Sequence, residues 1–150
     1  MVLILISLLL TPLSAAVAPP DGSTLQIRRA EYEMHPGHVA IKDHFGTTYF
    51  MSPKVELSDA DVRSAEFLPA GDGRPRVKLL FTRQGANKFG DLTRSHLKRP
   101  LVFLIQGKVV MVPLVNEVAA GDSTWIEGLI TEAEAKGLAT AISSRKATVR

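Results

Sequence analysis

The 150-residue chain contains no cysteine. Disulfides and thiolate metal sites are thereby excluded, so the fold must be held by its core alone. Aromatic residues are scarce at 6%, with a single tryptophan, Trp125. Neither sign of charge dominates, 18 Lys and Arg standing against 15 Asp and Glu. The basic residues are scattered: Arg28-Arg29, Arg74, Arg76, Lys78, Lys98-Arg99 and Arg145-Lys146. Nucleic-acid binding asks for a dense basic face with aromatics beside it, and this dispersal reads instead as a solvated surface. A long spanning run is also missing. Met1 to Leu10 is apolar except for Ser7, but Pro12 cuts it short of the roughly 20 residues a membrane helix needs. Residues 1–18 therefore read as a secretory leader, with Ala16-Val17-Ala18 in the A-x-A form and Pro19-Pro20 after it. No positive residue precedes the apolar run, which leaves an uncleaved anchor as the alternative.

What is present is a run of strand patterns broken by two helices. "LQIRRAEY" from Leu25, "VAIKD" from Val39 and "TTYFMS" from Thr47 read as strands, with turns at "HPGH" (35–38) and "HFG". Pro53 is expected to end the third. "LSDADV" reads as a short helical turn started by Ser58, with Asp59 and Asp61 suited to a first turn. Strand, turn and strand follow across "PAGDGRP". Thr82 is placed to cap a helix from Arg83 to about Leu97, whose apolar stripe is Ala86, Phe89, Leu92 or Thr93, and Leu97. Pro100 stops it. "LVFLIQGKVVMVPLV" (101–115) reads as a hairpin reversing at Gln106-Gly107-Lys108, and Pro113 belongs at an edge or a bulge. "STWIEG" adds a strand. Thr131 and Glu134 form a T-x-x-E capping box for a last helix burying Ala135, Leu138, Ala139 and Ile142. Residues 146–150 read as a frayed basic tail. The order predicts an α+β fold: a mostly antiparallel sheet with two helices packed on one face. The sheet's other face is then either polar or covered by a partner.

Catalytic chemistry is thinly represented. His35-x-x-His38, with His44 nearby, could offer two or three imidazoles to zinc. The blander reading is a Pro36-Gly37 turn with solvated histidines, since no third or fourth ligand is fixed by spacing. Asp59 and Asp61 read as helix-start residues before an acid pair. Glu31 and Glu33 share a strand face with no cleft indicated. The serines lack a Gly-x-Ser-x-Gly turn, and "GDGRP" lacks the lysine and serine of a phosphate loop. No enzyme and no cofactor are expected.

The ordered motifs of residues 47–142 resemble the head subdomain of the first periplasmic domain of SecD, in the SecDF protein-export family. "FTRQGANKF" (81–89) is similar to the family's F-T-x-x-G-A-x-x-F helix start. "LVFLIQGKVVMVPLV" is similar to its strand, D-G-K-V turn and proline-bearing return strand, with Gln106 in place of the usual Asp. "IEGLITEAEA" is similar to its I-x-G-x-F-T-x-E-E-A lead into the last helix, and "LSDADV" to its L-T-x-x-D-I turn. Together with the leader pattern at 1–18, the resemblance divides the rest of the chain into an N-terminal extension with strands (19–46), a head-like domain (47–145) and a tail (146–150). It is to the head alone, without the membrane helices of the translocase subunit. It implies a periplasmic or secreted, non-catalytic module contacting extended polypeptide or a protein partner, possibly the export machinery. An envelope-associated structural protein, with membrane contact only through an uncleaved N-terminus, remains an alternative, as does a hydrolase or metal protein built on the three histidines. The expected contact strand is Val109 to Val115, with Lys108, Val109, Met111 and Pro113 as binding residues, by strand addition at a sheet edge.

Overall fold

The strand patterns resolve into two antiparallel sheets. The computed structural model describes residues 22–69, 72, 74–128 and 130–148, so the apolar leader run and its cleavage motif lie outside the described residues. β1 (Leu25–Glu31) pairs with β3 (Thr48–Ser58) on one side and β6 (Leu101–Ile105) on the other. With β2 (Val39–Lys42) and β7 (Lys108–Met111) they make a five-stranded sheet in the order β2-β3-β1-β6-β7. β4 (Val62–Leu68), β5 (Arg76–Phe81) and β8 (Ser123–Ile126) form a second sheet in the order β4-β5-β8. α1 (Arg83–Ser95) and α2 (Glu132–Thr148) complete the chain. The α+β class, the antiparallel pairing and the two helices agree with the sequence. The strands divide between two sheets because the 3-10 turn Asp59–Asp61 redirects the chain between β3 and β4. β1, from the segment read as an extension, is the middle strand of the larger sheet.

One core joins the facing sides of both sheets to the helices. Leu25, Ile27 and Phe103 come from the larger sheet, and Val77, Leu79 and Phe81 from the smaller. Phe89 and Leu92 enter from α1, and Ala135, Leu138 and Ile142 from α2. Each large side chain so buried contributes about 1.5–3 kcal/mol. α1 starts as expected, Thr82 Oγ1 accepting from Gly85 N–H at 2.9 Å. Leu97 does not complete its stripe. The helix ends at Ser95, Lys98 takes a left-handed φ of 62°, and Leu97 swings out to 42% exposure. His96 goes inside instead, its Nε2 3.0 Å from both Ala30 O and Pro100 O. Both partners are acceptors, so Nε2 carries the proton. At the other end α2 continues to Thr148, through residues expected to fray. Arg145 gives it a tether there, reaching Gly22 O at 2.9 Å and Asp59 Oδ2 at 3.3 Å.

Pro53 does not end β3. Between Arg28↔Val55 and Ala30↔Met51, β1 advances two residues while β3 advances four. Pro53 lies in that bulge, where a ladder donor is not needed. Arg28 fills it: Nη1 donates to Pro53 O at 3.0 Å, and Nε and Nη2 donate to Gln26 Oε1 at 2.9 and 2.6 Å. Beyond the bend the β2–β3 hairpin packs on the back of its own sheet. Ile41 and Tyr49 meet a second cluster of Ala30, Met51, Val102 and Leu104, joined by Val109 and Val112. The back face is therefore apolar and covered from within the fold, where the sequence had left it polar or partnered.

Two glycine-dependent points follow from this packing. α1 presses on the 3-10 turn at Gly85, where an added Cβ would overlap Asp61 O. Replacing Gly85 by Ala is expected to destabilise the fold by about 2–3 kcal/mol, read as a lower urea midpoint. At the hairpin tip both Gln106 (φ 50°) and Gly107 (φ 77°) are left-handed, as a type I′ turn requires. Gln106→Asn is expected to raise stability by about 0.5–1 kcal/mol in the same assay, because Asn tolerates that region better.

Candidate binding cleft

β7 and β8 are end strands of different sheets, and they flank an open trough of about 470 Å³. Its floor is apolar, made by Phe89, Leu101 and Phe103. Met111 and Pro113 form one wall, Thr124 and Trp125 the other. The 116–119 loop closes one side. Thr93 holds that loop to α1, its hydroxyl accepting from Ala119 N–H at 2.9 Å while donating to Phe89 O or Gly90 O, each at 3.0 Å. The sheet edges converge at Gly128 (φ 115°), where an added Cβ would lie 3.1 Å from Val110 O. Trp125 stays 40% exposed. Arg76 Cζ and Lys78 Nζ stand 5.8 and 5.7 Å from its ring centre, within cation–π range.

The four contact residues read from the sequence do not lie together. The β6–β7 register passes from Leu104↔Val109 to Phe103↔Met111, which leaves Val110 as an extra residue. That bulge reverses the alternation of sides along β7. Met111 faces the main core and the trough, which Pro113 also lines, whereas Val109 packs on the back face. Pro113 accepts from Leu101 N–H at 2.9 Å and, having no N–H, gives no bond in return. Lys108 turns away to α2, donating to Glu134 Oε1 at 2.8 Å. Glu134 is also the expected capping-box acid: its Oε2 accepts from Thr131 N–H at 2.8 Å, and its own N–H donates to Thr131 Oγ1 at 3.1 Å.

Sequence reasoning missed Trp125 as a wall of this trough. Its signal was its uniqueness in the chain, on a strand opposite Lys78. The histidines do not converge as a trio. His35 and His38 face each other across their turn, and His44 stacks on Phe45, ring centres 3.7 Å apart. Among the described residues no three His, Asp or Glu side chains are grouped to hold a metal. Asp59 and Asp61 are structural: Asp59 accepts from Thr24 and Leu25 N–H, and Asp61 from Ser58 N–H and Lys88.

Residues 36–146 match the family model described as SecDF, P1 head subdomain. The chain belongs to the SecDF P1 head family. The protein translocase subunit SecDF of Thermus thermophilus is 34% identical over 88 residues, which is 59% of this chain and 12% of that protein. SecD of Acidaminococcus fermentans is 32% identical over 100 residues, 67% of this chain and 24% of its own length. The chain thus spans a quarter or less of these relatives. A solved SecDF in its super-membrane-facing form superposes with a TM-score of 0.63 at 24% identity, covering 81% of this chain and 19% of that one. Another SecDF structure, of a membrane component that enhances protein export, gives a TM-score of 0.63 at 23% identity, covering 81% and 62%. These likenesses bear on the fold. Among the described residues no helix is long and apolar enough to cross a membrane.

The tether between Lys108 and Glu134 titrates in a defined direction. Burial pushes the Glu134 carboxyl up, but the Lys108 hydrogen bond, the Thr131 N–H and the Lys108 charge outweigh it and hold the carboxyl below its usual 4.5. A carboxyl depressed on folding stabilises above its unfolded value and loses that contribution as pH falls through the folded one. A carbon-13 titration of Glu134 is expected to show its midpoint below 4.5 in the wild type and a rise towards 4.5 in Lys108→Ala.

Proposed function

We propose that the chain is a non-catalytic, periplasmic head module that holds an extended segment of polypeptide, from a translocating chain or an export partner, in the trough between β7 and β8. The observation that carries this reading is the pairing of an apolar floor with two strand edges. An extended chain brings unpaired backbone groups and alternating side chains. An edge strand offers hydrogen bonds to the first, and an apolar trough takes the second. A folded partner presents this combination only along an exposed edge strand, so the geometry favours extended segments. Membership of a translocase family supports the same assignment, as does the reported role of a SecDF relative in enhancing protein export.

The bulge in β7 makes the proposal sharp. A photoreactive residue at position 111 is expected to crosslink an unfolded apolar peptide, and one at position 109 is not. Peptide addition is expected to change Trp125 fluorescence, and Met111→Asp to weaken binding about tenfold, or roughly 1.4 kcal/mol. Absence of an adduct at 111, or equal adducts at both positions, overturns the assignment.

A further inference from the structure

The His35-Pro36-Gly37-His38 turn is absorbed neither by the core nor by the trough. His38 N–H donates to His35 O at 3.1 Å, and Gly37 has φ 80°. With proline at the second position and a left-handed glycine at the third, this is a type II turn. Such a turn fixes its first and last residues side by side, and the two imidazole centres are 5.3 Å apart at a tilt of 46°. Two imidazoles on adjacent corners of a tetrahedral ion, each about 2.0–2.1 Å away through nitrogen, place their ring centres roughly 5 Å apart. The observed spacing is that of a ligand pair.

A second observation concerns the ring nitrogens. His38 Nδ1 lies 3.4 Å from Pro36 O, and in the tautomer that donates to this carbonyl Nε2 is the nitrogen with a lone pair to offer an ion. A backbone carbonyl in this position is the usual outer partner of a metal-bound histidine, fixing both tautomer and ring orientation. His35 is exposed and His38 half-buried, so a hydrated ion can reach both. We propose that this turn binds one divalent transition-metal ion of the imidazole-preferring class, such as Zn²⁺, through His35 and His38, with the remaining positions held by water. His44 is not part of the site, since no third such side chain is grouped with the pair among the described residues. The proposal is independent of the trough, since neither His35 nor His38 is among the residues that line it.

The test is Zn²⁺ titration of the full chain, followed by calorimetry and by nitrogen-15 spectra of the imidazoles. One ion per chain is expected, with the His35 and His38 ring signals shifting together. His35→Ala and His38→Ala are each expected to weaken binding about tenfold or more, and His44→Ala to leave it within about twofold. Circular dichroism of the variants should be unchanged, because the turn is at the surface. Lack of saturable binding up to millimolar Zn²⁺ overturns the proposal, as does unchanged affinity in either the His35 or the His38 variant.

Discussion

Two covered carboxylates in the Ser58–Asp61 turn hold the fold in register. Asp59 is 4% exposed and receives the N–H groups of Thr24 and Leu25, where β1 begins, while Arg145 of α2 approaches Oδ2. Asp61 is 6% exposed and receives Ser58 N–H and the Lys88 ammonium at 2.7 Å. Its carbonyl accepts from Thr82 N–H at 2.9 Å, just where α1 starts. A buried carboxylate without such donors would cost several kcal/mol, and with them its bonds are of the stronger, charge-assisted kind. Five places in the chain thus meet at one turn: the start of β1, the end of β3, the start of β4, the start of α1 and the last turns of α2. Each carboxylate takes donors from more than one element, so loss of either side chain would leave several backbone and side-chain donors without a partner at once.

The trough is a product of that arrangement. The turn sends β3 and β4 into different sheets, so β7 and β8 become ends of separate ladders instead of neighbours. Where the bulge at Pro53 folds the β2–β3 hairpin across the back of the larger sheet, the described residues leave only a hollow of about 100 Å³ between the hairpin and β7. Arg28 holds this bend by giving the bulged carbonyl of Pro53 a donor. Polar groups at one bend therefore decide which apolar face is covered and which remains accessible.

Much of the fold was legible in the sequence. The T-x-x-E box, the Thr82 cap, the stripe of α1 through Leu92 and the Gln106-Gly107 reversal are local patterns, and local physics reproduces them. The errors have tertiary causes. Pro53 looked like a terminus because its missing donor is a local fact, whereas the bulge that accommodates it depends on β1. Leu97 fitted the stripe by spacing, but His96 found two carbonyls, from Ala30 and Pro100, that no periodicity reveals. Residues 109–115 were read as one contact surface, but the extra residue at Val110 puts Met111 and Val109 on opposite sides of the sheet. Trp125 could not be paired with Met111 by sequence, since the two belong to different sheets. Family motifs identified the module without indicating which side chains share a surface.

Just past the end of β8, the backbone at Gly128 comes close to that of β7, within the space a Cβ would need. A side chain here would press on Val110 O at 3.1 Å and would also have to adopt φ 115°, so a missing Cβ at one position lets the two sheets approach as closely as they do.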